Sequence, residues 1–329
     1  MYSLTENVDV HGVHHEDRAD VVGNSFSLRR VRFQVKSQIN DRWDMAVLVN
    51  FAEFNSANLT GKVLENAFIR YSHSPHFKVM AGQFRPFFGV EDILPADFTR
   101  SFDFSNGYSS FSKNNWQGYQ SGVTVMGRLN SKNLPLNYYA GVYNGNGKTL
   151  AKDSDNAKNA YLRLETDFKN FKTGVNAAIG SMDNIKGNAY GADLQTAFIL
   201  TKDFNLEVVS EYKSGTNMMA YKADNGLEKP DVSQYQMRNF YFTPLLKYKT
   251  KKPRLRSVDF SARYEYLDDN YRLNPTARQT ITPLIGLEFS DDYFALLQIG
   301  AVLENYKTNH INTSQVDQDM LLAQLQVKF

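Results

Sequence analysis

Three arginines within a span of four residues, Arg29, Arg30 and Arg32, stand with Lys36 in a local cluster of basic groups. Guanidinium forks gathered this way can hold the oxygens of a carboxylate or phosphate bidentately. A second concentration of charge lies in 89–114, where Glu91, Asp92, Asp97 and Asp103 stand against Arg100 and Lys113. That balance is net acidic, whereas a tight phosphate site should present several converging cations. Catalytic groups are poorly placed. The six histidines, His11, His14, His15, His73, His76 and His310, sit at strand ends or in loops, and none joins a serine in a recognisable nucleophile–base arrangement. His14 and His15 are neighbours, and neighbours in an extended chain point to opposite faces, so they read as solvated residues rather than metal ligands. No Gly-x-Ser-x-Gly elbow or phosphate-cradling glycine loop occurs, and Asn144-Gly145-Asn146-Gly147 reads as a hairpin tip. The absence of cysteine excludes disulfides, thiolate zinc sites and thiol catalysis. No enzyme activity, cofactor or metal is expected.

The composition points away from an ordinary soluble enzyme. Aromatic residues make up 13% of the 329, with 19 Tyr and 23 Phe but 2 Trp, while mean hydropathy is −0.47. Rings that favour interfaces and a chain that is polar on average coexist in transmembrane β-barrels, which need aromatic girdles and a wet interior together. The net charge of +2 is interspersed along the chain, which argues against a nucleic-acid partner. The most apolar stretch, Tyr293 to Leu303, is interrupted by Gln298 and is far shorter than the ~20 residues of a spanning helix. The opening Met1-Tyr2-Ser3-Leu4-Thr5-Glu6 lacks signal-peptide character, so a barrel reading implies that a leader has been removed.

The elements that must position the charged groups are strands. Apolar and polar residues alternate with period two: Phe171, Thr173, Val175, Ala177 and Ile179 against Lys172, Gly174, Asn176 and Ala178, and Val258, Phe260, Ala262, Tyr264 and Tyr266 against Asp259, Ser261, Arg263 and Glu265. About sixteen such segments are expected, including 24–38, 43–54, 77–88, 233–249 and 316–329. Short links (Asn40 to Arg42, Ser74 to His76, Lys202–Asp203) alternate with longer ones (14–23, 55–60, 89–114, 146–156, 183–187, 215–232, 268–278 and 307–315). Tight turns at one end and long loops at the other are the layout of an outer-membrane barrel, with its short turns in the periplasm. The apolar parity flips at Arg29–Arg30, which predicts a bulge, and Pro244 and Pro283 predict local breaks. Leu321, Ala323, Leu325, Val327 and Phe329 form one apolar row that ends on an aromatic residue, as the closing strand of such barrels does.

The chain is therefore expected to be all-β, a single transmembrane antiparallel β-barrel domain over 1–329. A Lys or Arg facing lipid at mid-bilayer would cost ~2–4 kcal/mol, so charge decides facing. Val31, Phe33 and Val35 point outward, while Arg30, Arg32, Gln34, Lys36, Arg128, Arg163, Arg263, Glu165, Asp167, Asp259, Glu265 and Glu304 line the interior. Barrels of ~16–18 strands leave a water-filled channel. Loop 89–114, with Phe98, Phe102, Phe104 and Phe111, is expected to fold inward, anchor its rings on the wall and turn its charges to the opening. The function that follows is passive diffusion of small polar or ionic solutes across an outer membrane. The competing reading is a barrel with a plugged pore that serves as a structural or docking part of a surface or export complex.

Two segments resemble the phosphate-selective porin O and P family. One is Ser27-Leu28-Arg29-Arg30-Val31-Arg32-Phe33, followed by Trp43 to Phe54; the other is Gly82-Gln83-Phe84-Arg85-Pro86-Phe87-Phe88-Gly89-Val90-Glu91. The resemblance covers roughly the first third of the chain. It implies a sixteen-stranded homotrimer in the outer membrane of a Gram-negative bacterium, in contact with membrane lipid, with arginines along an anion route. A pore-lining role passes to Arg29, Arg30 and Arg32, and Arg85 matches the basic position of the second motif. Phosphate selectivity does not pass to this chain, because loop 89–114 is net acidic; general or weakly anion-preferring diffusion is expected instead.

Overall fold

In a computed structural model of the chain, the described residues are 2–7, 22–55, 63–94, 100–129, 135–148, 156–168, 170–289, 294–307 and 317–328. They form one antiparallel sheet of seventeen strand segments. In chain order these begin with β1 (Tyr2–Asn7), β2 (Val22–Phe26), β3 (Arg32–Gln38), β4 (Trp43–Asn50), β5 (Leu64–Ser74) and β6 (Phe77–Phe84). After a long inner loop come β7 (Gln120–Leu129), β8 (Leu136–Tyr143), β9 (Asn159–Asp167), β10 (Phe171–Met182), β11 (Ile185–Ile199) and β12 (Phe204–Thr216). The last are β13 (Gln236–Lys252), β14 (Leu255–Asp268), β15 (Arg278–Phe289), β16 (Phe294–Tyr306) and β17 (Gln318–Lys328). From β3 to β17 each strand pairs with its neighbour in sequence. The register of β1 then runs from Tyr2↔Ala323 on β17 to Tyr2↔Phe26 on β2, so the last strand meets the first. The result is a barrel-like wall.

One stave of that wall is broken. The segment expected to be a continuous strand over 24–38 is two strands, β2 and β3, separated by 27–31, and β3 has a ladder register with β4. The parity flip at Arg29–Arg30 thus marks an interruption larger than a bulge. Counting β2 and β3 as one stave gives sixteen. Other boundaries move too. β4 ends at Asn50 in a 3-10 turn over Phe51–Asn55, so the expected strand 43–54 is shorter, and β6 stops at Phe84. The link expected over 183–187 is a two-residue turn, Asp183–Asn184, with φ of 51° and 66°. Two successive positive φ values are the signature of a type I′ hairpin, a turn that Asp and Asn tolerate. The prolines behave as breaks on one side. Pairing of β13 with β14 passes from Phe242↔Tyr264 to Leu245↔Ser261, skipping Pro244, and pairing of β15 with β16 passes from Ile281↔Leu303 to Leu284↔Gly300, skipping Pro283.

At mid-wall the apolar and charged rows separate, whereas Gln34, Lys36, Arg128 and Asp167, expected inside, are exposed. Phe33, Val35, Val175, Ile179, Leu162, Phe260, Leu321 and Leu325 are exposed on the outer surface, while Arg163, Glu165, Asp193, Asp259, Arg263 and Glu265 are buried on the inner one. Inward does not mean open to water, however. Arg163, expected to line a pore, is completely buried. Its guanidinium meets Asp193 at 2.5 and 2.9 Å, Glu165 at 2.9 and 3.2 Å and Asn176 Oδ1 at 2.7 Å, a network that consumes its donors inside the wall. Removing the cation would leave Asp193 buried without a counter-charge and Glu165 with Lys172 alone, at 2.8 Å. Arg163→Leu is therefore expected to cost roughly 3–5 kcal/mol of stability, to be read from urea-induced unfolding of detergent-solubilised protein.

Candidate functional site

The interior is shaped by the segment between β6 and β7, residues 85–119, of which 85–94 and 100–119 are described. It carries two helices, α1 (Val90–Ile93) and α2 (Asn106–Lys113). Polar side chains of the wall bind its backbone. Asn176 Oδ1 accepts from Gly89 N at 3.1 Å and Glu211 Oε1 from Val90 N at 3.1 Å. Glu265 accepts from Asn106 N at 2.6 Å, placing a carboxylate at the positive end of α2. Arg263 donates to the carbonyl of Asp103 at 2.6 Å and pairs with Glu265 at 2.6 Å. Gly89, at φ 91°, lets the chain lie directly on Glu211, where a Cβ would collide with the carboxylate. These contacts fold the loop into the barrel against β10, β12 and β14.

Its rings complete the packing. Phe88, Phe111 and Trp116 are fully buried among Met80, Phe84, Met126, Tyr143, Tyr161, Met218 and Met237 of the surrounding structure. Phe102 packs separately on Leu284 and Leu322. The anchoring role expected for these rings describes Phe102 and Phe111; Phe98 and Asp97 lie outside the described residues. The first two acids of the loop are engaged within it. Glu91 does not turn to an opening: its carboxylate accepts from Ser105 N and Ser105 Oγ, both at 2.6 Å, and from Lys213 Nζ at 3.4 Å. Asp92 accepts from Gln117 Nε2 at 3.3 Å. Burial pushes its carboxyl up to about 7, outweighing the nearby Arg85 and Lys213 charges that favour ionisation. Arg100 pairs with Glu207 at 2.7 Å. Arg85 is a strut within the loop. It donates to the carbonyls of Glu91 and Leu94, each at 2.7 Å, with its guanidinium 5.5 Å from the Phe104 ring and 5.6 Å from that of Tyr119.

The loop leaves a cavity of about 470 Å³ on the side of β2–β5. Arg29, Arg30, Arg32 and Lys148 line it together with Glu53, Glu65, Phe104, Tyr108 and Tyr119. Arg32 is engaged by Glu65 at 2.8 and 3.0 Å, and Asp103 of the loop pairs with both Arg29 and Arg30. The sequence cluster of arginines is thus gathered on one cavity with the loop's acid opposite. Lys36 shares the inward face of β3 by alternation but is exposed beyond this cavity, and Arg128 sits exposed at the end of β7, where its carbonyl meets His76 Nδ1 at 2.7 Å. Lys213, Glu211, Glu65 and Lys148 were not singled out from the sequence. The inward parity of Glu211 and Lys213 around outward Tyr212 carried the signal for two of them; Glu65 and Lys148 acquire meaning only beside their partners.

A barrel-like wall, apolar outside and charged inside, with a loop folded across the interior, identifies the architecture. This is the fold of an outer-membrane porin. The anion-selective porin from Comamonas acidovorans matches with TM-score 0.60 at 8% identity, over 99% of this chain and 96% of that one. The outer-membrane channel DcaP of Acinetobacter baumannii matches with TM-score 0.57 at 12% identity, over 99% and 94%. A trimer form of OmpT, an outer-membrane protein of Vibrio cholerae, matches with TM-score 0.54 at 11% identity, over 99% and 96%. At these identities the likeness is one of fold. Residues 4–95 match the model of the family described as phosphate-selective porin O and P, a stretch that includes both segments quoted above for that resemblance. No curated protein matches the sequence.

The buried Asp92 gives the loop a pH dependence with a definite sign. A carboxyl whose folded value is raised contributes stability that is present at low pH and lost as pH climbs through about 7. Asp92→Asn should therefore stabilise the protein relative to the wild type at pH 8, with an advantage that shrinks as pH falls from about 7 and is lost only near pH 4. Thermal unfolding in detergent across this range checks it; a difference independent of pH would refute the assignment.

Proposed function

We propose that the chain is a porin of the Gram-negative outer membrane, assembled as a trimer, through which small polar and ionic solutes diffuse with a mild preference for anions. The observation that carries this reading is the cavity between the inner loop and the wall from Arg29 to β5, lined by Arg29, Arg30, Arg32, Lys148, Glu53 and Glu65, where Arg32 pairs with Glu65 and Arg29 and Arg30 pair with Asp103 of the loop. Loop 89–114 acts as the constriction, since its backbone is bound to inward-facing side chains across half the wall. No step of catalysis is required of any of these groups. They are ion-paired side chains around a wet space, and transport needs from them only weak, reversible contact with the solute.

The mixed charge bounds the selectivity. Arg32 is balanced by Glu65, and the loop contributes carboxylates of its own, so phosphate trapping by several uncompensated cations is not supported. Surplus positive charge favours anions modestly, and long-range attraction of this sort fades with salt because the Debye length is ~10 Å at 0.1 M. Trimer assembly is supported by the trimer form of the Vibrio cholerae relative and by outward apolar rows on β3–β5, such as Phe33, Val35 and Ile69.

Reconstitution into planar bilayers tests the reading. Discrete conductance steps are expected, with chloride more permeant than potassium in a salt gradient. Replacing Arg29 and Arg30 together with Gln should move the reversal potential toward that of a cation-preferring pore, the more so at low ionic strength. A correctly folded protein that forms no steps would favour the plugged docking barrel instead.

A further inference from the structure

The salt bridges of Asp103 have an arrangement that suggests a binding site already filled. Arg29 approaches one oxygen of the Asp103 carboxylate and Arg30 the other, so two guanidinium groups from one wall segment clasp a single carboxylate from the opposite loop. Arg29 and Arg30 line the cavity, and the three side chains of the clasp are 44%, 23% and 29% exposed in that order. The two arginines lie in 27–31, the stretch without strand structure between β2 and β3, where side chains are not held to the alternation of a ladder. The backbone of Asp103 is fixed separately, by the hydrogen bond from Arg263 to its carbonyl. Its side chain can therefore leave the clasp without the loop leaving the wall.

We propose that Arg29 and Arg30 form a binding site for the carboxylate group of small organic acids, and that Asp103 is a built-in competitor that occupies the site until a solute displaces it. The Asp103 side chain is chemically an acetate on a tether, so the geometry that receives it receives a free carboxylate in the same way. The Phe104 ring, 5.6 Å from the Arg30 guanidinium, gives the clasp an apolar flank suited to the carbon skeleton of such an acid. Exchange of one carboxylate for another keeps the arginines paired throughout. A solute then pauses at the site without falling into a deep trap, which is what a channel needs of a recognition point. This proposal rests on the channel reading, and it goes further by naming the solute chemistry and the residue that competes with it.

The test is block of chloride current by added acetate, and by succinate as a second probe, in bilayers at fixed ionic strength. Removing the competitor should sharpen the block: in Asp103→Asn, with Asp103→Ala as a second variant, the half-blocking concentration is expected to fall about tenfold, as loss of one competing charged contact implies. In Arg29→Gln/Arg30→Gln the block should vanish although Asp103 is present. Half-blocking concentrations within twofold of the wild type in both Asp103 variants would overturn the proposal while leaving the channel intact, as would block that survives in the double arginine variant. A folded wild-type chain that never conducts would overturn the channel reading itself, and the clasp with it.

Discussion

Everything in this molecule depends on the requirement that backbone amides and carbonyls facing hydrocarbon find partners within the chain. A strand ladder bent round until its last member meets its first meets that requirement with little else. β1 does the joining, lying between β17 and β2. With the wall curled round in this way, facing becomes a binary property of each position. Apolar residues gather on one side, and mid-strand charges such as Arg163, Asp193, Glu211 and Arg263 turn to the other, whatever their sign. The interior is therefore crowded with acids and bases that must settle their desolvation among themselves.

The inner loop exists within that constraint. Glu211, Glu265, Asn176 and Arg263 bind its backbone because they have been turned inward by the pleat and need partners. The loop in turn brings its own charges to the wall: Glu91 meets Lys213, and Arg100 meets Glu207. A buried ion pair is weak evidence of stability in itself, but a buried charge left alone is severely unfavourable. The network is thus better understood as mutual obligation, which holds the loop in one place, than as a set of independent gains. Around it Phe111, Trp116 and Phe88 supply an apolar core of the kind usually found between sheets, here enclosed by one.

What remains open is set by where the wall lacks such partners. The break between β2 and β3 interrupts the regular supply of inward side chains and presents Arg29 and Arg30 from irregular backbone. The space left beside them is small compared with the interior of an unobstructed sixteen-stave barrel, and its walls carry both signs of charge. Selection in such a space comes from which pairs a solute can exchange with, since Arg29, Arg30 and Arg32 are each paired with a carboxylate.

The sequence by itself determined the class of fold, the sidedness of the strands and the arginine cluster, because period-two alternation and the depth-dependent cost of charge in lipid act on each residue locally. Rows such as Val175 and Ile179 against Asn176 could be assigned without knowing any neighbour. The fate of the charges was another matter. Arg163, Arg263 and Arg85 looked alike as inward or motif cations, yet the first is sealed by Asp193 and Glu165, the second is bound to the loop and the third braces it. Glu91 and Asp92 counted in the sequence only as acids of the constriction loop, and they are buried. Only the tertiary structure decided these, because ion pairing joins residues far apart in sequence, such as Asp103 with Arg30 and Lys213 with Glu91. Their meeting depends on where a long loop comes to rest, and no local pattern records that position.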